Sequence, residues 1–246
     1  MKDLLLGGTE ETFPPFRAGE TQRLVELAHT VDGYERHPFE DQVEGEWWGS
    51  GKLQEIQEIL SDLLLQLVDL SAFPAAPAIN EDGGSFEANA RKKATGLAVA
   101  LKQWVLSDDS GLVVPSLGGE PGVDSALYAG KHGDDEANND KLLAKLAVVP
   151  EEQRTAYYVC VIAVSNPRGE IVAQTEGRCH GRIVGDRRGA GGFGYDPLFL
   201  IPEYHRTFGE LSPRVKHALS HRAKALEQLR PRLRGFFPQN ASEPEA

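Results

Sequence analysis

Two carboxylates stand side by side at Asp108 and Asp109, followed by a hydroxyl and a glycine at Ser110 and Gly111. Trp104-Val105-Leu106 ahead of them is a short apolar run, the pattern of a buried strand. The pair is therefore expected where that strand ends. In open α/β sheets ligands gather beyond the carboxyl ends of strands. Adjacent aspartates repel one another, and burying both without a counter-charge is costly. A divalent cation is the simplest relief. The same residues also read as an Asp-rich loop whose side chains bond their own backbone, and the dipeptide alone does not choose between the two.

Other chemistry-bearing residues are scattered along the chain. Gly49-Ser50-Gly51-Lys52 precedes a helical pattern, and small residues with a lysine at a helix start can hold a phosphate; a flexible turn reads equally well. It is not a nucleotide P-loop, because Glu46 stands where the first glycine belongs and Leu53 follows the lysine. Asn89 and Lys93 share one face of a helix. Gly191 to Pro197 is a glycine-rich loop carrying Phe193, Tyr195 and Asp196, and Lys216, His221 and Arg222 fall in helical sequence behind a Ser212-Pro213 cap. The remaining histidines lack ligand spacing to one another or to cysteines.

The elements that position these residues read as follows. Glu20 to Ala28 is expected to be a short helix within an otherwise patternless segment of residues 1–50. Leu53, Ile56, Leu60 and Leu63 mark a helix face, Leu64 to Val68 a strand, and Phe86 to Gln103 a helix capped by Ser85. Asn138 to Leu146 is a helix behind an acidic lead-in, Gly133 to Glu136, expected to be a solvated start favoured by the dipole. Thr155 to Ser165 is a central strand, Asn166 to Gly169 a turn, and Glu170 to Arg178 the antiparallel return, which Gly181 to Val184 continues. Leu198 to Ile201 is a further strand. Pro231 is expected to break the last helix, with a tail from Gly235 onward.

Composition bounds the reading. The chain has 246 residues, 40% hydrophobic and 26% charged, the profile of a globular protein with a substantial core. A net charge of −11 argues against a nucleic-acid partner but leaves room for a small polyanion held by clustered cations. No run approaches membrane-spanning length, and the apolar stretch near Met1 is too short for a signal peptide, so a cytoplasmic location is expected. Cys160 and Cys179 fall in strand-like segments as buried free thiols.

Together these segments resemble the inosine triphosphate pyrophosphatase family, the enzymes that clear non-standard purine nucleotides. Four ordered blocks carry the likeness: Ser85-Phe86 with Asn89 to Ala94; Asp108 to Leu112 through Pro121-Gly122-Val123 and Tyr128-Ala129-Gly130; Gly191 to Pro197; and Lys216 with Ser220-His221-Arg222. The resemblance spans roughly residues 50–233. It implies an α/β fold, a long mixed β-sheet flanked by helices, with a pyrophosphatase domain over 51–235, an atypical segment over 1–50 and a tail over 236–246. It also implies a homodimer that uses Mg²⁺. By the same likeness Asp109 is the catalytic base and a metal ligand, and Glu81 the second metal-binding carboxylate. Ser110, Phe193, Gly194, Tyr195, Asp196, Lys216, His221 and Arg222 contact substrate, and Lys52 and Lys93 lie near its phosphates.

One departure stands out. Members of that family open with a β-strand ending in Thr-Gly-Asn, two residues before the Gly-Lys pair, whereas Trp47-Trp48-Gly49 stands there and Gln42 to Glu46 makes a poor strand. The central strand is expected to be missing or altered, through a true variant or a misread gene start. Ala88 also replaces the usual glutamate before Asn89. The expected reaction is hydrolysis of ITP, dITP or XTP between the α and β phosphates. Mg²⁺ would sit on Glu81 and Asp109, with Asp109 or Asp108 accepting the water's proton. His221 or Arg222 would read the purine's six-position carbonyl and Phe193 would stack on the ring. Two other readings stay open: a nucleotide-binding protein that has lost hydrolysis, and an enzyme shifted to another triphosphate such as dUTP.

Overall fold

The computed structural model describes residues 22–27 and 56–237. Seven strands form one sheet in the order β2-β1-β3-β4-β5-β6-β7: β1 (Gln22–Leu27), β2 (Leu65–Asp69), β3 (Trp104–Val113), β4 (Thr155–Ser165), β5 (Ile171–Ile183), β6 (Phe199–Ile201) and β7 (Arg206–Thr207). β1 pairs in parallel with β2 and β3, and every pairing from β3 onward is antiparallel, so the sheet is mixed. Helices α1 (Phe86–Leu101), α2 (Asp135–Leu146), α3 (Pro213–Leu219) and α4 (His221–Leu233) flank it.

The centre of the sheet is apolar on both faces. On one face α1 lays Ala90 and Ala94 against Val159, Val161 and Ala163 of β4; small side chains let helix and sheet approach closely. On the other, α4 packs Ala225, Leu226 and Leu229 against Leu106, Cys160 and Ile162. Gly177 of β5 makes that crossing possible, since a Cβ there would lie 2.1 Å from the carbonyl oxygen of His221. Cys160 and Cys179 are buried free thiols, and burial pushes the Cys179 thiol up to about 11.

Several expected elements come out differently. The segment expected to be a helix over Glu20 to Ala28 is strand β1. Its residues Leu24 to Glu26 are paired on both sides, Leu24 facing Leu67 on β2 and Trp104 on β3, and Leu24 is fully buried. Two backbone ladders and a core contact outweigh the weak local preference of six residues for a helix. β1 lies upstream of Trp47 and takes the place between β2 and β3, whereas Gln42 to Glu46, where a strand was expected to be missing or altered, lies outside the described residues. Lys52 and Trp47-Trp48-Gly49 lie outside the described residues.

Two further differences concern the C-terminal part. Helical sequence after Ser212 divides at Ser220, which ends α3 and caps α4 by accepting the Ala223 amide at 2.9 Å, while Pro231 sits within the last turn of α4. The tail expected from Gly235 includes core: Phe237 is fully buried and its ring lies 5.1 Å from that of Trp104. In the middle of the chain, the two strand pieces expected over 170–184 are one strand, β5.

Candidate active site

The Asp-Asp pair lies in the middle of a strand. β3 runs on to Val113, paired throughout with β4, because Ser110 to Val113 find partners in Cys160 to Tyr157. Successive side chains of a strand point to opposite faces, so Asp108 and Asp109 diverge. The expectation that one cation relieves both is corrected: each has its own counter-charge.

On the α1 face, Lys93 is 1% exposed and its Nζ lies 3.1 Å from Asp109 Oδ1 and 3.1 Å from Glu81 Oε2. Glu81 is brought there by the turn before α1. The Gly83 amide donates to Asn89 Oδ1 at 2.8 Å, and Ser85 Oγ accepts the Ala88 amide at 3.1 Å to start the helix. A Cβ at Gly83 would stand 2.7 Å from the Ala88 Cβ, so the turn fits only with glycine there and a small contact at position 88.

Burial pushes the Asp109 carboxyl up from 3.8 to about 7; the charge of Glu81 adds to that and the Lys93 ammonium opposes it. The second carboxylate that raises it is Glu81, across the cleft, and not the adjacent Asp108. Burial also works against the Lys93 ammonium, but Asp109, Glu81 and Asp108 outweigh it and hold Lys93 above its ordinary value. Asp109 Oδ2 is buried and has no hydrogen-bond partner among the described residues.

On the opposite face, Asp108 Oδ2 accepts from Arg222 Nε at 3.3 Å and Nη2 at 3.1 Å, and from Ser110 Oγ at 3.1 Å. His221, the first residue of α4, stacks on Tyr158 with ring centroids 5.0 Å apart and planes 14° from parallel. Tyr158 adjoins Phe199 and Phe208, and the ammonium of Lys216 lies 5.7 Å from the Phe208 ring. Lys216 also pairs with Asp196 and sits 4.2 Å above the ring of Phe193.

The glycine-rich loop is held from beneath. Asp196 Oδ2 accepts the Phe193 amide at 2.8 Å, and the Tyr195 hydroxyl donates to the Ser125 carbonyl at 2.8 Å. Tyr195 and Asp196 are buried, whereas Phe193 is 43% exposed. Of the loop residues expected at the substrate, Phe193 therefore offers its side chain to solvent. Tyr195 and Asp196 turn theirs to the loop's own support, and Gly194 has none.

The structure thus assembles three groups. Glu81, Lys93 and Asp109 stand on one face of β3; Ser110, Asp108 and Arg222 on the other; and Phe193, Asp196 and Lys216 beside His221. Two carboxylates facing one cationic point form a hard-oxygen donor set. The buried, unbonded Asp109 Oδ2 is an atom that a divalent ion fits. Among the described residues no cluster of three acidic, histidine or cysteine side chains forms a metal site. Sequence reading missed Asp135 and Asn139, which bind the Gly194 backbone, and Tyr158, which carries His221. An acidic helix start and a strand tyrosine look the same whether or not they face a loop.

A model described as the Ham1 family matches residues 49–232. The chain belongs to the Ham1 family. Among relatives, a protein from Rhodopirellula baltica named dITP/XTP pyrophosphatase is 50% identical over 191 residues, covering 78% of this chain and 92% of its own. One of the same name from Shouchella clausii is 46% identical over 189 residues, covering 77% and 94%. The solved structure of a HAM1 protein from Coxiella burnetii superposes with a TM-score of 0.73 at 35% identity, over 87% of this chain and 99% of that one. The Ham1 match begins at residue 49, downstream of β1, so it does not include the strand between β2 and β3.

Proposed function

We propose that this Ham1 protein hydrolyses non-standard purine nucleoside triphosphates (ITP, dITP and XTP) to the monophosphate and pyrophosphate with Mg²⁺, removing damaged purines from the nucleotide pool. The observation that carries the reading is the convergence of Glu81 and Asp109 on Lys93, with one oxygen of Asp109 buried and unbonded. The relatives named dITP/XTP pyrophosphatase support the substrate class. A homodimer follows from the family resemblance, and the cytoplasm from where the free nucleotide pool lies. No helix among the described residues is long and apolar enough to cross a membrane.

Glu81 and Asp109 would hold the metal. Mg²⁺ commonly uses one or two carboxylates and takes its other ligands from water and substrate phosphates. Bound there, it supplies Lewis acidity and neutralises phosphate charge. Asp109 takes the proton of the attacking water, and a carboxyl raised toward neutral pH is a better base than an ordinary aspartate. The water oxygen bonds to the α-phosphorus as the bond from that phosphorus to the α–β bridging oxygen breaks, and the electron pair leaves with pyrophosphate. Lys93 stays charged and fixes the Asp109 carboxylate through Oδ1, which leaves Oδ2 to face the metal.

Selection falls to the other groups. Phe193 offers a ring for stacking, with the Lys216 ammonium above it. His221 and Arg222 stand as donors for a six-position carbonyl, where ATP would present an amine instead. Asp108 orients Arg222 through two of its nitrogens. The reading of a binding protein without hydrolysis rests on the altered Trp47-Trp48-Gly49 segment, which lies outside the described residues, and the retained Glu81, Asp109 and Lys93 argue against it.

The test is pyrophosphate release from ITP, XTP, dITP, GTP, ATP and dUTP with Mg²⁺. Fast release from the first three, lost on chelation and in Asp109→Asn, is expected. Release from none would favour binding alone, and a preference for dUTP would move the enzyme to another substrate.

A further inference from the structure

The acidic start of α2 has a use that the reaction itself does not explain. Asp134 caps the helix by accepting the Ala137 amide at 3.1 Å. Asp135, partly buried, and Asn139, buried, face the loop that carries Phe193. Asp135 Oδ2 accepts the Gly194 amide at 2.7 Å, and Asn139 Nδ2 donates to the Gly194 carbonyl at 2.8 Å. Both backbone polar groups of Gly194 are thereby held by side chains one helical turn apart. Arg187, at the entry to the same loop, donates to Asp140 Oδ1 at 2.7 Å and lies 3.3 Å from Glu136 Oε2. Positions 135, 136, 139 and 140 form one helix face, and all four reach the loop.

The loop needs such holding. Gly189, Gly192 and Gly194 have φ of +80°, +77° and +58°, the left-handed region that glycine adopts at little cost. Within the loop the amide and carboxylate of Asp196 hold Phe193, whereas the Gly194 peptide is held from outside, by α2. Gly194 directly follows Phe193, the exposed ring, so the two Gly194 bonds fix the peptide on its C-terminal side.

We infer that Asp135 and Asn139 are positioning residues that clamp the Gly194 peptide, so that the first turns of α2 set where Phe193 and Lys216 meet the purine. The inference rests on the proposed function for its substrate, but the clamp itself is a property of the loop. The Asp109 group lies on another part of the molecule, on the α1 face of β3, so loss of the clamp acts on base binding and leaves the bond-breaking step in place.

The experiment compares Asp135→Ala, Asp135→Asn and Asn139→Ala with the parent protein. Two measurements are made, steady-state kinetics with ITP and ATP and hydrogen exchange of the loop amides. Losing a partly buried hydrogen bond to a charged acceptor is expected to raise KM for ITP about tenfold in Asp135→Ala. There kcat should stay within about twofold and the ITP-over-ATP preference should fall. Asp135→Asn keeps an acceptor for the Gly194 amide and should recover most of the affinity. Exchange of the Gly194 and Tyr195 amides should accelerate in Asp135→Ala and Asn139→Ala.

Unchanged KM in both alanine variants, or an equal fall in kcat, would overturn the inference while leaving the pyrophosphatase reading intact. Were the parent protein inactive on ITP, that reading would fail by itself. Exchange would then still decide the clamp, and loop amides no faster in either alanine variant would refute it. Should Asp135→Ala fail to fold, Asn139→Ala carries the same test.

Discussion

Asp109→Asn should make the protein more stable at pH 8 while abolishing its activity. Burial lifts the Asp109 carboxyl from 3.8 to about 7, with Glu81 acting in the same direction and Lys93 against it. The folded chain therefore keeps that proton at pH values where the unfolded chain has released it. Between about pH 4 and pH 7 the folded state binds more protons, so stability falls as pH rises through this window. A change from 3.8 to about 7 corresponds to about 4 kcal/mol once the group is fully ionised above pH 7. Asparagine matches the protonated shape without ever charging, so it escapes that cost, and Lys93 keeps Glu81 as a partner at 3.1 Å. For a chain of 246 residues each 1 kcal/mol moves the melting temperature by about 2–4 °C. The variant should therefore melt roughly 10 °C above the parent at pH 8 with a chelator present, and close to it at pH 4. Adding Mg²⁺ at pH 8 should close the gap by stabilising the parent alone. Equal melting temperatures at both pH values, or a less stable variant at pH 8, would refute the claim that the ionised carboxylate is strained in the metal-free protein.

Lys93→Met removes the cation between Glu81 and Asp109. Stranding a buried charge in this way typically costs about 3–5 kcal/mol, so urea unfolding at pH 8 should show a loss of that order that shrinks at pH 5, where Asp109 holds its proton; an equal loss at both pH values would count against the pairing. Gly192→Ala would place a Cβ 2.0 Å from Asp196 Oδ2 at a φ of +77°, so Asp196 must release Phe193 and Lys216. KM for ITP should rise in that variant, and an unchanged KM would show that the loop tolerates the shift. Phe237→Ala empties a fully buried site against Trp104 and should cost about 3–5 kcal/mol in chemical unfolding, with kcat/KM at 25 °C unchanged.

Much of the sheet was legible because its strands advertise themselves locally. Thr155 to Ser165 is uncharged and rich in Tyr, Val and Ile, and it is β4 with the expected bounds. β1 was not legible, for a reason that is not local. Its six residues, Gln22–Leu27, alternate poorly and fit a helix as well as a strand; only the empty place between β2 and β3 makes them a strand. Phe237 was missed likewise, because one aromatic beside Gly235 carries no period, and its role appears only when Trp104 is seen beneath it.

The candidate site was legible as a set of residues and illegible as an arrangement. Adjacent aspartates read as a shared problem with a shared cation, and that inference holds only if the strand ends before them. Because β3 continues, the same dipeptide divides its work between two faces. Asp109 turns to Lys93 and Glu81, the group suited to a metal and a triphosphate, while Asp108 turns to Arg222, the group suited to a base. A single strand then carries both halves of the proposed reaction. Any shift of β3 along β4 moves the phosphate side and the base side together, which is a physical reason for the pairing between them to run unbroken from Val105 to Val113. A substitution that loosens this ladder, unlike one confined to the α2 clamp, should change kcat and KM in the same variant.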